Sequence, residues 1–194
     1  MMSHRPLRTS LATLLVAASA LLGASSAGLG FDGGTTPAAG AEVKTAGLQA
    51  SAPDFVGVTG WLNSEPLSIK ALRGKVVLVD FWTYGCVNCV HTLPYVTQLY
   101  ERYKDKGLVV VGVHTPEFPF ETSTGNVRAA LQRHGIRYPV AQDNASATWN
   151  AYGNQYWPAQ YIIDRNGRIV FSHAGEGAYD TIERTVQALL NDKG

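Results

Sequence analysis

The sequence predicts an α/β domain, a central mixed sheet flanked by helices. Three observations carry that prediction. Lys75 to Trp82 (KVVLVDFW) and Leu108 to Val113 (LVVVGV) are nearly continuous β-branched and apolar runs, the pattern of strands buried on both faces. Between them Leu93, Val96, Tyr100 and Tyr103 recur at helical spacing and stop at Lys106-Gly107. Strand, helix and strand at this separation make a βαβ unit, so the two strands are expected to run parallel.

The elements ahead of that unit follow in order. Residues 1–27 have the composition of a secretory signal peptide. Arg5 and Arg8 make a positive start, no acidic residue precedes Asp32, and Leu11 to Leu22 is an apolar core too short to span a bilayer. Ser25-Ser26-Ala27 offers a small-x-small cleavage site, with an uncleaved interfacial anchor as the alternative. The arginines are not adjacent, which argues against a twin-arginine signal, and no cysteine follows Leu22-Gly23-Ala24 to take a lipid. The expected address is periplasmic or otherwise extracytoplasmic. In residues 28–50, eleven of 23 are Gly or Ala, too little to bury, so the stretch reads as a flexible linker. The folded domain is expected over residues 51–194.

Within it, Trp61-Leu62 and Leu67-Ser68-Ile69 flank a polar turn and suggest an N-terminal β-hairpin. Pro94 lies on the helix of the βαβ unit and should kink it. Ser123 or Thr124 can cap a helix carrying Val127, Ala130 and Leu131. Tyr161-Ile162-Ile163 and Ile169-Val170-Phe171 flank Asp164-Arg165-Asn166-Gly167, whose Asn-Gly is a strong hairpin signal. Ile182, Val186, Leu189 and Leu190 define a closing amphipathic helix.

Composition excludes several function classes. Sixteen Lys+Arg against fifteen Asp+Glu leave a formal +1, with no broad basic surface for nucleic acid. Two cysteines cannot build a disulfide scaffold or a four-cysteine zinc site, and no metal or other cofactor is expected.

Chemistry concentrates in Cys86-Val87-Asn88-Cys89, directly after the first buried strand and at the start of the helix. A sulfur at a helix N-terminus faces unpaired backbone N–H groups and the positive end of the dipole, which favour thiolate. Two intervening residues let the second thiol reach the first. Cys86 is therefore the expected nucleophile and Cys89, one turn deeper, the resolving thiol. A purely structural disulfide is the main alternative, although closing a four-residue segment constrains little chain. Half of a shared zinc site lacks a His at suitable spacing. Haem attachment needs Cys-x-x-Cys-His, and Val90 stands before His91.

Other residues can support the pair. Asp80, in the buried strand, would be costly to ionise, and its raised pKa would let it relay the resolving thiol's proton. The alternative is a strand-end Asp held by backbone N–H groups. Trp82 and Tyr84 can form an apolar rim for substrate or belong to the core. Pro158 follows Trp157 at the start of the Ala159 to Ile163 strand, where a cis bond would expose an edge to an extended peptide. His91, His114 and His134 read as packing or surface residues. Thr83-x-x-Cys86 matches a peroxidatic spacing, but Val79 stands where peroxiredoxins carry proline.

Val79-Asp80-Phe81-Trp82 with Cys86-x-x-Cys89 and Pro94 resembles the thioredoxin active-site block in register. Together with Gly112-Val113-His114-Thr115-Pro116-Glu117-Phe118 and Tyr156-Trp157-Pro158-Ala159, it resembles the soluble domain of DipZ-type cytochrome c biogenesis proteins. That domain is related to the TlpA/ResA class of exported thioredoxin-like proteins. The similarity covers roughly residues 53–190. It implies a thioredoxin-like fold with an N-terminal hairpin and an insertion before a cis Pro158. It also implies that Cys86 attacks, Cys89 resolves, Asp80 assists and Pro158 lies beside the pair; Trp82, Tyr84, Trp157 and Pro158 are the candidate substrate-binding residues. DipZ joins this domain to a membrane electron carrier, so the expected partners are disulfide-containing proteins and a separate membrane thiol–disulfide electron donor. Apocytochrome c is the substrate the resemblance suggests. The central dipeptide Val87-Asn88, unlike thioredoxin's Gly-Pro, leaves the potential open.

The expected function is thus an extracytoplasmic thiol–disulfide oxidoreductase that reduces protein disulfides. A disulfide-donating oxidase keeps the chemistry and reverses the flow. A binding module with a structural disulfide would show no turnover.

Overall fold

The structure, a computed structural model, describes residues 50–192. The signal-peptide reading of residues 1–27 and the linker reading of 28–50, apart from its last residue, lie outside the described residues. The strands are β1 (Gly60–Leu62), β2 (Val76–Trp82), β3 (Leu108–His114), β4 (Val140–Gln142), β5 (Ala159–Ile163) and β6 (Ile169–Ala174). They form one mixed sheet in the order β1-β4-β3-β2-β5-β6. β2 pairs parallel with β3 and antiparallel with β5, so the VVLVDFW run lies between two neighbours and every one of its residues is buried.

Helix α1 (Val87–Tyr103) follows β2 and buries Cys89, Thr92, Leu93, Val96, Leu99 and Tyr103, the three-to-four spacing of one helical stripe. It runs through Pro94 and gives way to a 3-10 turn closed by Gly107, whose φ of 105° suits a residue without Cβ. With α2 (Thr124–Arg133) and α4 (Tyr179–Asn191), α1 covers one face of the sheet. The short α3 (Ala147–Ala151) and the segment before β2 cover the other. The mixed sheet and the parallel β2–β3 pair agree with the sequence reading. So does the β5–β6 hairpin, whose turn is held by Asp164 Oδ1 accepting from the N–H groups of Asn166 (2.9 Å) and Arg168 (2.8 Å).

The expected N-terminal hairpin is corrected. Trp61-Leu62 does lie in a strand, but β1 pairs antiparallel with β4, and residues 67–69 are not strand. After Leu62, Asn63 adopts φ 64° and its side-chain amide donates to the carbonyls of Ile136 (3.1 Å) and Tyr138 (3.0 Å). Asp54 Oδ1 accepts the N–H of Ile69 (2.8 Å), and Ser68 Oγ accepts that of Ala71 (3.1 Å), so a turn begins where the second strand was expected. Ile69 still buries its side chain, which is why the apolar pattern looked like a strand. The stretch between β3 and Pro158, read as an insertion, holds a 3-10 turn (Pro119–Thr122), α2, β4 and α3.

Candidate active site

The end of β2 and the start of α1 are separated by only four residues, which places the cysteine pair at the C-terminal end of a central strand. Cys86 is the N-cap of α1, and its Sγ accepts the backbone N–H of Cys89 at 3.3 Å. A sulfur in that position satisfies one of the helix's unpaired donors. Cys86 is half-buried, whereas Cys89 is 1% exposed. Both are free thiols. Burial pushes the Cys89 thiol well above its ordinary pKa, and its hydrogen bond to Cys86 adds to the shift. Cys89 therefore keeps its proton until a neighbouring group removes it.

Asp80 lies in mid-β2, opposite Gly112 on β3 and Gln160 on β5. Strand alternation puts it on the same face as Leu78 and Trp82, the face that packs on α1 and Cys89. Burial pushes its carboxyl up to about 7, against the opposing hydrogen bond from Gln160 Nε2 to Asp80 Oδ1 (2.9 Å). The partner is a side-chain amide, so the backbone-held alternative for Asp80 does not describe this strand. Gln160 Oε1 is buried without a partner among the described residues.

The rim differs from expectation in two residues, Trp82 and Pro158, whose side chains are buried. Trp82 is fully buried in the core, edge-on to His114 at 5.1 Å between ring centroids, and is corrected from a substrate contact to a core residue. Its indole fits because position 112 is glycine; a Cβ there would stand 2.9 Å from Trp82 Nε1. Tyr84 is half-buried, stacks on His114 at 5.5 Å, and donates from its hydroxyl to the carbonyl of Phe120 (2.9 Å). Trp157 is half-buried against Trp149 and donates from Nε1 to the Thr115 carbonyl (3.0 Å). The Trp157–Pro158 peptide is cis, and Pro158 is buried. Sequence reading missed the exposed apolar side chains nearby: Val87 within the motif, Phe118 and Phe120 beyond β3, and Tyr156 before Trp157.

It also missed Glu121. This carboxylate is completely buried, yet it belongs to the 3-10 turn after β3. Its Oε1 accepts from Thr83 Oγ1 (2.5 Å) and from the N–H of Gly85 (2.8 Å). Its Oε2 accepts from the N–H groups of Glu117 (2.7 Å) and Phe118 (2.9 Å). Burial alone would raise its pKa, but these donors outweigh that and hold the carboxyl below its ordinary value. No sequence pattern singles it out, since a lone Glu in a loop is usually solvated. His114, completely buried, is pushed down to about 4 by burial and packs between Trp82 and Tyr84 as a neutral ring. His91 is exposed beside Glu176 (3.3 Å). Among the described residues, no group of three or more His, Cys, Asp or Glu side chains is arranged to hold a metal ion.

Comparison with known proteins agrees with this fold. The chain matches the Redoxin family over residues 48–189. It is 52% identical over 145 residues to Protein DipZ of Mycobacterium tuberculosis, covering 73% of this chain and 21% of that protein. The chain thus spans about a fifth of DipZ's length. It is 31% identical over 132 residues to the thiol-disulfide oxidoreductase ResA of Bacillus thuringiensis, covering 68% of this chain and 72% of ResA. The solution structure of a thioredoxin-like protein in its oxidized form aligns with a TM-score of 0.69 at 30% identity, covering 76% of this chain and 99% of that one.

Proposed function

The chain belongs to the Redoxin family, with a thioredoxin-like fold, and from that premise we propose that it is an extracytoplasmic thiol–disulfide oxidoreductase that reduces disulfides in protein substrates. The observation that carries this reading is the pairing of a half-buried Cys86 at a helix N-terminus with a sealed Cys89 one turn on. The composition of residues 1–27 supports export.

Reduction proceeds in two exchanges. The Cys86 thiolate attacks one sulfur of a substrate disulfide, forming a mixed disulfide and expelling the other sulfur as a thiolate. Cys89 then loses its proton and attacks Cys86 Sγ, which closes the Cys86–Cys89 disulfide and releases the second substrate thiol. Two electrons pass to the substrate. Asp80 is the proton acceptor for Cys89: it shares that buried face, and a pKa of about 7 lets it take and return a proton near neutrality. Tyr84 and Trp157, both half-buried, form the apolar wall against which the substrate chain rests, beside the cis Trp157–Pro158 peptide. A membrane-bound dithiol returns the two electrons. The DipZ resemblance points to apocytochrome c as one substrate.

The test is reduction of insulin disulfides by the mature chain, with the Cys86–Cys89 potential measured by equilibration with glutathione or dithiothreitol. Activity lost in Cys86→Ser and a potential near about −270 mV support a reductant. Unchanged activity in that variant overturns the assignment. A potential near about −120 mV would make the chain a disulfide donor.

A further inference from the structure

We propose that Glu121 is a positioning residue that fastens an aromatic substrate-contact arm, Phe118 and Phe120, to Gly85 beside the nucleophile Cys86. This deepens the reductase reading and rests on it.

The carboxylate has two sides, and each holds a different segment. Oε1 takes the donors of Thr83 and Gly85, from the loop between β2 and α1. Oε2 takes the N–H groups of Glu117 and Phe118, at the root of the arm. Four donors on a buried carboxylate are charge-assisted contacts in a low-dielectric setting, where losing one side is costly. Position 85 must be glycine for this contact, because a Cβ there would collide with Glu121 Oε1.

The arm has the form of a contact surface. Phe118 and Phe120 are 45% and 58% exposed and stack nearly parallel at 5.6 Å. The Phe118 ring comes within 3.9 Å of where a Gly85 Cβ would stand, and the Phe120 carbonyl accepts the Tyr84 hydroxyl. Two exposed phenyl rings are a cost in water unless something covers them. Phe118 stands beside Gly85, the residue before Cys86, so a protein whose disulfide reaches that sulfur comes within reach of the arm. The occupant that fits is therefore the apolar stretch next to the reactive cysteine of a substrate protein. Through Glu121, that contact and the placement of Cys86 form one unit.

Glu121→Gln separates the two sides, since an amide offers one acceptor oxygen and turns donors toward the other pair. Phe118→Ser with Phe120→Ser removes the arm's rings from an exposed position. For insulin reduction by the full chain, the double serine variant should lose about tenfold in kcat/KM, mostly through KM. Glu121→Gln should lose at least as much, and the triple variant should be no worse than Glu121→Gln alone. Losses that multiply in the triple variant, or a lowered Tm with kcat/KM intact, would overturn the proposal.

If Glu121→Gln does not fold, Gly85→Ala breaks the same contact from the other side, and the same cycle applies. Amide hydrogen exchange gives a readout independent of turnover. Exchange at Gly85 and Phe118 should quicken together in Glu121→Gln, and unchanged exchange at Gly85 counts against the coupling. If the wild-type chain reduces no disulfide, the reductase reading fails and the exchange experiment still decides whether Glu121 joins arm and loop.

Discussion

On one face of β2, Val77, Val79 and Phe81 meet Val111, Val113, Trp149, Tyr152 and Ile163. On the other, Leu78, Asp80 and Trp82 meet Cys89, Leu93 and Val110. The same seven residues supply both faces, and all are buried. The residues β2 contributes to the first face are all apolar, and Phe81 makes edge contacts there with Trp149, Tyr152 and Tyr161 at 5.3 to 5.7 Å. The second encloses a carboxyl group and a thiol whose charged forms are disfavoured by burial. The contrast teaches that one strand can set an all-apolar face at its odd positions and enclose a single buried carboxyl among core residues at its even ones.

Four substitutions break or sharpen that contrast. Cys86→Ser should lower insulin reduction by at least about 10⁴-fold, since the remaining thiol, Cys89, is buried away from substrate.

Asp80→Asn should act in opposite directions on the two properties. Turnover should fall about a hundredfold at neutral pH, because the proposed proton acceptor for Cys89 is gone. Stability should rise. The unfolded carboxyl titrates at 3.8 and the folded one at about 7, so between those values the folded chain holds a proton that the unfolded chain has lost. Wild-type stability therefore falls as pH climbs through that window. The variant's advantage should be absent below about pH 4 and reach on the order of 4 kcal/mol above pH 7. Urea unfolding at several pH values measures it, and a pH-independent difference would contradict a buried, mostly protonated Asp80. The same titration implies that wild-type turnover declines as pH drops below about 7.

Phe81→Leu, on the opposite face, should cost about 1–3 kcal/mol of stability through lost aromatic edge contacts. The reduction potential should stay where it was, and a shifted potential would mean that the two faces are coupled. Trp82→Phe is the smallest effect, under about 1 kcal/mol, because the lost volume is partly offset by removing a buried indole N–H that has no partner among the described residues. Its KM for insulin should not move. A raised KM would return Trp82 to the substrate wall.

Much of this organisation was legible in the chain. The buried strands, the cysteine helix and the Asn-Gly hairpin each announce themselves within a dozen residues, because periodicity and turn chemistry are local. The N-terminal hairpin misled for the same reason. Leu67 and Ile69 form an apolar patch in either a strand or a turn, and the Asp54 carboxylate on the Ile69 N–H, with Ser68 Oγ on that of Ala71, decides between them. Trp82 was ambiguous because an aromatic beside a cysteine motif suits rim and core alike. Gly112, thirty residues away, resolves it by leaving room for the indole.

By itself, then, the sequence determined the α/β class, the order of its main elements, and a dithiol at a strand-to-helix junction with an acid six residues before it. These follow from local backbone preference and from the alternation of apolar side chains. Tertiary structure alone decided which groups surround that dithiol. Gln160 reaches Asp80, and Glu121 reaches Gly85, across 80 and 36 residues of chain. A carboxylate's charge state and a loop's anchorage depend on burial and on donors brought from distant segments, and those exist only once the chain has packed.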